Sequence, residues 1–370
     1  MNELNENTSI LIVTNIYPTM SLPNSGTFVR NAALGLESSG FNVKIISLDN
    51  ESSKNKLTKL FSYLELYVKT MHKIIFGQYD IIYVHYVSHS SIAVSIIRLL
   101  GKKFKYVAHV HGSDVLQESN VSSFKFSLKK AVSKLALKLA DKIISPSQYY
   151  KNEVICPLYN IPINKVFVSP SGGVDLSVFT SHCLDSKLNA KSFTVGFAGR
   201  LTEDKGVNDF IEIINEIWLT HPQVNIIIVG DGPLKKEILE FSESNNVKYF
   251  DKVPQNELAG IFQSMDIFIF PTKRRTESLG LVGIEAMACG VPVVAYDMGG
   301  PRGYIKHGIN GYLVNKDDVS MAASCVINYI ESPSYDKARI VSSAISTAGE
   351  YCSQNVNKEF TELFVGLINE

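Results

Sequence analysis

At 370 residues the chain exceeds what one hydrophobic core usually organises, so two domains are expected. Apolar residues at 45%, aromatics at 10% and charges at 19% exclude a disordered, collagen-like or coiled-coil chain. Basic and acidic side chains balance at 36 each, which leaves no global field to recruit nucleic acid.

The opening residues, Met1 to Glu6, lack the basic region that begins a secretory signal. Short β-rich runs then alternate with longer helical patterns, the rhythm of parallel sheets covered by helices. In the first half the strands are expected at Ile10–Thr14, Val43–Ser47, Ile81–His85, Tyr106–Val110, Lys142–Ser145 and Val166–Ser169. Several are continuous apolar runs, as strands buried on both faces require. The spacing predicts a helix over Thr27–Ser39, closed by Gly40 in a left-handed cap. The loop from Tyr17 to Thr27 carries Gly26 at that helix entrance but no G-x-G-x-x-G and no Walker lysine, so no nucleotide need bind there.

Lys54 to Ile75 places Leu57, Leu60, Phe61, Leu64, Tyr67, Val68, Met71 and Ile75 on one helical stripe among lysines. Phe124 to Leu139 repeats the pattern with Phe124, Leu128, Ala131, Val132, Leu135 and Leu139. Such stripes usually face a core, but the lysine density also fits an interfacial helix attracted to anionic lipid. Residues 51–140 hold 14 basic and five acidic side chains, so the neutral total hides a basic segment. The greasy stretch Tyr79–Leu100 contains Asp80, His85, His89 and Arg98 and breaks at Ser88–Ser91. A strand followed by a helix explains it better than a membrane span does. His109-Val110-His111-Gly112-Ser113-Asp114 ends a strand, and the period of two puts His109 and His111 on one face, His111 at the tip. A lone strand-end histidine is more often structural than catalytic. The five cysteines are scattered, with no C-x-x-C pair, which argues for reduced thiols in a cytoplasm.

Between Asp175 and Ser192 the apolar periodicity dissolves, marking a linker. Strands resume at Phe193–Ala198, Val224–Val229, Val247–Phe250, Ile267–Phe270 and Val291–Ala295, and the tail after Pro333 reads as helical. Two consecutive doubly wound α/β domains follow, and ligands of such sheets bind beyond the C-terminal ends of the strands. Three loops there carry chemistry. Gly199-Arg200-Leu201-Thr202-Glu203-Asp204-Lys205-Gly206 sets two cations on a loop feeding a helix, a combination suited to a diphosphate or to pairing with Glu203 and Asp204. Gly230-Asp231-Gly232-Pro233-Leu234-Lys235 partly fits a dinucleotide fingerprint, with Asp251 at the offset of a ribose acid, but Lys235 replaces its third glycine. The strongest segment runs from Pro271 to Pro292, with Glu277 beside a helix N-terminus and Glu285 two turns inside. Free amides there can hold phosphate or sugar oxygens. Charge complementarity to the helix dipole would explain Glu277. It does not explain Glu285, set among Leu281, Ile284, Ala288 and Val291.

Together these residues resemble the retaining glycosyltransferases of glycosyltransferase family 4. The matching elements are the Gly26 loop, His111-Gly112-Ser113-Asp114, Ser171-Gly172-Gly173-Val174-Asp175, Gly199-Arg200-Leu201 with Lys205-Gly206, Gly230-Asp231-Gly232-Pro233, Glu277-x7-Glu285 with the run to Ala295, and Gly308-x-x-Gly311-Tyr312-Leu313-Val314. The resemblance implies the GT-B fold: two Rossmann-like domains facing across a cleft, with a helix near Ser353–Asn369 crossing back onto the first. The expected divisions are 1–178 for the acceptor, 193–350 for the nucleotide sugar, and 351–370 for the returning helix.

Carried over by position, the resemblance implies that Arg200 and Lys205 grip the donor diphosphate, Glu285 the ribose and Glu277 the transferred sugar. Gly199, Gly230, Pro254 and the stretch Ser278, Leu279, Gly280 and Leu281 would line the donor. His111 would sit between donor and acceptor, and Gly26 would allow close approach to the donor. In Gly299-Gly300-Pro301-Arg302-Gly303, Arg302 or Gly303 stands where many members carry an acid. No D-x-D occurs, so no metal bridging the diphosphate is expected, and no carboxylate pair is placed as in a hydrolase. The expectation is a metal-independent, retaining enzyme of bacterial surface polysaccharide synthesis. It would use a UDP- or GDP-sugar with a saccharide or lipid-linked acceptor, in the cytoplasm or peripherally on the inner face of the membrane. The alternatives are a sugar-nucleotide epimerase of the same fold and a non-catalytic binding subunit. A dehydrogenase would rest on the Gly230 turn.

Overall fold

The computed structural model describes residues 8–20, 25–48, 55–118, 121–170, 172–181, 192–243 and 246–369. The chain divides into two compact units, Met1–Gly172 with Val356–Glu370, and Gly173–Asn355.

The first unit holds six parallel strands: β1 (Ser9–Thr14), β2 (Asn42–Ser47), β3 (Ile81–His85), β4 (Lys105–His109), β5 (Lys142–Ser145) and β6 (Val166–Val168). Their order is β2-β1-β3-β4-β5-β6, so the winding reverses between β1 and β3. Its helices are α1 (Thr27–Ser38), α2 (Lys56–Phe76), α3 (Ser91–Leu99), α4 (Ser123–Leu139) and the single turn α5 (Cys156–Tyr159). β3 is buried throughout and β1 nearly so, as their unbroken apolar runs require. The greasy stretch Tyr79–Leu100 resolves into β3 and α3, and no helix among the described residues is long and apolar enough to cross a membrane.

α2 and α4 turn much of their apolar stripes outward, against the usual expectation for a domain helix. On α2 the buried row is Ser62, Leu66, Thr70 and Ile74, while Leu57, Leu60, Phe61, Leu64, Val68 and Ile75 are exposed. On α4 the buried residues are Ser133, Ala136 and Leu137, while Phe124, Leu128 and Leu135 are exposed. α3 packs beside both helices, so these side chains share one face of the unit. Phe61 at 67% and Phe124 at 75% exposure rule out core duty for these positions.

The second unit also has six parallel strands: β7 (Thr194–Ala198), β8 (Asn225–Val229), β9 (Val247–Phe250), β10 (Ile267–Phe270), β11 (Val293–Tyr296) and β12 (Gly311–Val314). The order β12-β11-β10-β7-β8-β9 reverses between β7 and β10. The remaining helices are α6 (Val207–Thr220), α7 (Lys235–Phe241), α8 (Gln255–Gln263), α9 (Leu281–Ala288), α10 (Val319–Glu331), α11 (Ser334–Glu350) and α12 (Ser353–Asn369). β12, a four-residue edge strand that opens on glycine, was not foreseen.

Two boundaries differ from the sequence expectation. Residues 173–179 pack with the second unit, where Val174 and Phe179 are buried and the Val174 amide donates to Tyr351 O at 2.8 Å. Residues 182–191 of the expected linker, and Ser171 of the Ser171–Asp175 motif, lie outside the described residues. Most of α12 belongs to the first unit, where Phe360, Phe364 and Leu367 are buried against Ile10, Ile12, Val29 and Leu36.

Candidate active site

Where a doubly wound sheet reverses, the loops leaving neighbouring strands splay apart and open a crevice. In the second unit those strands are β7 and β10. The loop after β7 nests backbone to backbone on the turn after β8, with the Leu201 amide donating to Asp231 O and the Leu234 amide to Leu201 O, both at 3.0 Å. Gly230 makes this possible: a Cβ there would lie 1.9 Å from Gly199 O. The turn that partly matched a dinucleotide fingerprint is thus a packing device for the Arg200 loop. Asp251, at the ribose-acid offset, is bound to Lys235 instead.

Arg200 is exposed and makes no ion pair among the described residues. Lys205 ends a single 3-10 turn, Glu203–Lys205. Its Nζ lies 2.5 Å from Glu277 Oε2, with the two side chains only 14% and 15% exposed, and stands 5.4 Å from the centre of the Phe270 ring. The two residues assigned to diphosphate and sugar are therefore in direct contact, and each neutralises the other. Lys205 does not pair with Glu203 or Asp204; it is Arg274 Nε that meets Asp204, at 3.3 Å.

The loop after β10 is tied to the loop after β7. The Lys273 amide donates to Asp204 O at 2.9 Å, and Lys273 Nζ bridges Asp209 at 2.6 Å and Asp317 at 3.0 Å. Buried Asp209 also accepts from the Tyr296 hydroxyl. Sequence reading missed this brace, because Asp209, Lys273 and Asp317 are far apart along the chain and no motif links them.

The backbone then turns through Gly280, at φ 77°, into α9, and the Tyr304 hydroxyl donates to Gly280 O at 3.0 Å. Ser278 and Leu281 are half-buried at this N-terminus; Leu279 and Gly280 are buried. Within α9, Glu285 is 7% exposed and no described residue donates to its carboxylate. Burial pushes its pKa from 4.5 up to about 7. An acid placed this way lacks a donor among the described residues. Pro254 is exposed just ahead of α8, and Gly199 closes β7. Arg302 pairs with Asp297 at 2.8 Å.

In the first unit the reversal lies between β1 and β3. Gly26, at φ 71°, starts α1, and a Cβ there would lie 2.9 Å from Ile16 O, so its lack of a side chain serves the closure of its own loop. Asp114 is fully buried and accepts the amides of Val87, His111 and Gly112, at 3.1, 3.0 and 2.8 Å, which knots the ends of β3 and β4 together. His111 is half-buried beside buried His109 and His85, and one ring nitrogen from each of the three lies within 4.8 Å of the others. The ring planes are inclined by only 17° to 36°. His85 was not singled out from sequence; only the in-register pairing of β3 with β4 brings it opposite His109.

Each unit alone is a Rossmann-like sheet, and the two in one chain match structures of the GT-B class. Among solved structures, sucrose-phosphate synthase from Thermosynechococcus elongatus matches at TM-score 0.76 with 18% identity, covering 98% of this chain and 99% of that one. Anabaena Alr3699/HepE, determined in complex with UDP and glucose, matches at 0.72 with 20% identity over 97% and 100%. Residues 184–346 match the family model described as glycosyl transferases group 1, and residues 21–147 match glycosyl transferase 4-like. The chain belongs to the group 1, family 4 glycosyltransferases. Relatives include an uncharacterised 41.2 kDa protein in the cps region of Klebsiella pneumoniae, 27% identical over 71% of this chain and 72% of its own length. The capsular polysaccharide biosynthesis glycosyltransferase CapM of Staphylococcus aureus is 25% identical over 69% of each chain.

Proposed function

We propose that this glycosyltransferase takes a sugar from a UDP- or GDP-sugar and passes it, with retention and without a metal, to a saccharide acceptor. The acceptor is lipid-linked and belongs to a bacterial surface polysaccharide under assembly. The observation that carries this reading is the Lys205–Glu277 contact at the strand reversal that also presents unpartnered Glu285. A nucleoside diphosphate supplies what that site lacks: phosphate for Lys205 and Arg200, and a ribose diol to donate to Glu285. Glu277, freed from Lys205, accepts hydroxyls of the transferred sugar. As the glycosidic bond to phosphate breaks, Arg200, Lys205 and the α9 N-terminus oppose the charge on the leaving group. The acceptor hydroxyl attacks from the same face and passes its proton to a leaving phosphate oxygen. Gly26, Gly199, Gly230, Pro254 and Ser278–Leu281 serve as the donor's lining, and His111 as the residue between the two substrates.

Support for a nucleotide donor comes from the HepE complex with UDP and glucose, and for the pathway from the relative named for capsule synthesis. Incubation with UDP- and GDP-sugars and saccharide acceptors, followed by NMR of the product's anomeric proton, tests the reading. Transfer with the donor's configuration kept is the expected result. Inversion, or isomerised donor without an acceptor as an epimerase would give, contradicts it. Activity only after a partner enzyme is added would mark a binding subunit.

The partner surface in this reading is the anionic inner face of the cytoplasmic membrane. Phe61, Leu64 and Phe124 stand exposed on α2 and α4, the two helices that flank α3, interspersed with Lys59, Lys69, Lys125 and Lys134, which gives apolar anchors among lysines. The protein is expected to float with vesicles rich in anionic lipid, and Phe61→Ser with Phe124→Ser to lose most of that binding. Failure to float with any vesicle removes the membrane from the reading.

A further inference from the structure

β3 and β4 pair in parallel register with His85 opposite His109, and His111 follows two residues later on the same face. His85 Nδ1 lies 3.0 Å from His111 Nε2, and the Tyr83 hydroxyl lies 2.6 Å from His109 Nδ1. Phe28 and Tyr86 pack on His111 with ring centroids at 4.7 and 4.6 Å, while His109 stacks on it at 4.3 Å. Burial and the neighbouring imidazoles hold His85 and His111 well below the usual histidine pKa, so both rings are neutral near pH 7.

A neutral imidazole has one N–H and one lone pair, so the bond between His85 and His111 can be made in two ways. If His111 donated from Nε2, His85 would carry its proton on its own Nε2. That atom is buried and has no partner, so an N–H would be orphaned there. If His85 donates from Nδ1, the atom left over is a lone pair, the cheaper of the two to bury. His111 Nε2 then accepts, and its proton sits on Nδ1.

We infer that His85 is a positioning residue that locks His111 in its Nδ1–H form, so that His111 meets its ligand as a hydrogen-bond donor and not as a base. The ligand group is an oxygen acceptor, such as a hydroxyl or ring oxygen of a saccharide. The tautomer follows from the fold of the first unit alone; its bearing on transfer rests on the proposed function. With no base at His111, the acceptor's proton must leave by the departing phosphate.

Long-range proton–nitrogen NMR of the full chain with labelled histidine reads the tautomer directly. His111 is expected to show a protonated Nδ1 and a bare Nε2. His85→Asn, whose amide N–H replaces the ring Nδ1–H, keeps this signature and most of the turnover. His85→Leu loses the signature and lowers kcat at least tenfold with little change in KM for the donor. Protonation of His111 on Nε2, or an unchanged signature in His85→Leu, overturns the inference. An altered signature with unchanged kcat overturns the positioning role. If no donor is turned over by the unmodified protein, the proposed function fails while the tautomer result stands.

Discussion

Lys205→Ala is expected to lower transfer about a hundred- to a thousandfold, the usual effect of removing one preorganised group that faces transition-state charge. Lys205 Nζ touches Glu277 Oε2 in surroundings where both side chains are about six-sevenths buried. Without the ammonium, the leaving diphosphate loses a cation and Glu277 keeps a charge that, among the described residues, Thr272 at 3.5 Å can partly satisfy. The variant should therefore also lose roughly 1–2 kcal/mol of stability. Adding Glu277→Gln separates the two effects. Stability should return, because no bare carboxylate remains, while transfer stays low. Recovery of activity in the double variant would show that Lys205 serves only to neutralise Glu277.

Glu285→Gln should move binding and stability in opposite directions. The Glu285 carboxyl titrates near 7 in the fold and near 4.5 when free. Because the folded pKa is the higher one, the stabilising contribution is complete below about 4.5 and is lost as the pH rises through 7. Ligand-free protein should thus melt at a higher temperature at pH 5.5 than at pH 8. Glutamine, neutral throughout, should remove this pH dependence and gain up to the order of 3 kcal/mol at pH 8. The same change replaces a charged acceptor for a ribose diol with a weaker one, so nucleoside diphosphate affinity should fall roughly ten- to a hundredfold. Calorimetric melting and ligand titration across pH 5.5–8 measure both. A variant that loses binding and stability together would make Glu285 a structural acid.

Much of this was legible in the chain because each unit is a sequence of locally encoded pieces. The continuous apolar strands announce parallel sheets, and β3, β5, β9 and β10 end where their runs end. Glu285 declares itself as a carboxylate in an apolar helix, and the structure finds no partner for it among the described residues. What stayed hidden depends on contacts distant in sequence. The Lys205–Glu277 pair spans 72 positions and arises only because β7 and β10 are neighbours. His85 gains its meaning from strand register, which a single sequence does not state. The stripes of α2 and α4 left their orientation open for a different reason. Periodicity reveals that a helix has an apolar side; it does not reveal whether that side looks inward or outward. Only the buried row Ser62, Leu66, Thr70 and Ile74 settles the matter for α2.

The most direct test of a nucleotide-sugar site at the β7–β10 reversal is calorimetric titration of UDP and GDP into the unmodified protein, Lys205→Ala and Glu285→Gln at pH 7.5. One nucleotide should bind the unmodified protein saturably, and each variant should bind it at least tenfold more weakly. Binding of neither nucleotide, or equal affinity in all three proteins, would contradict the assignment.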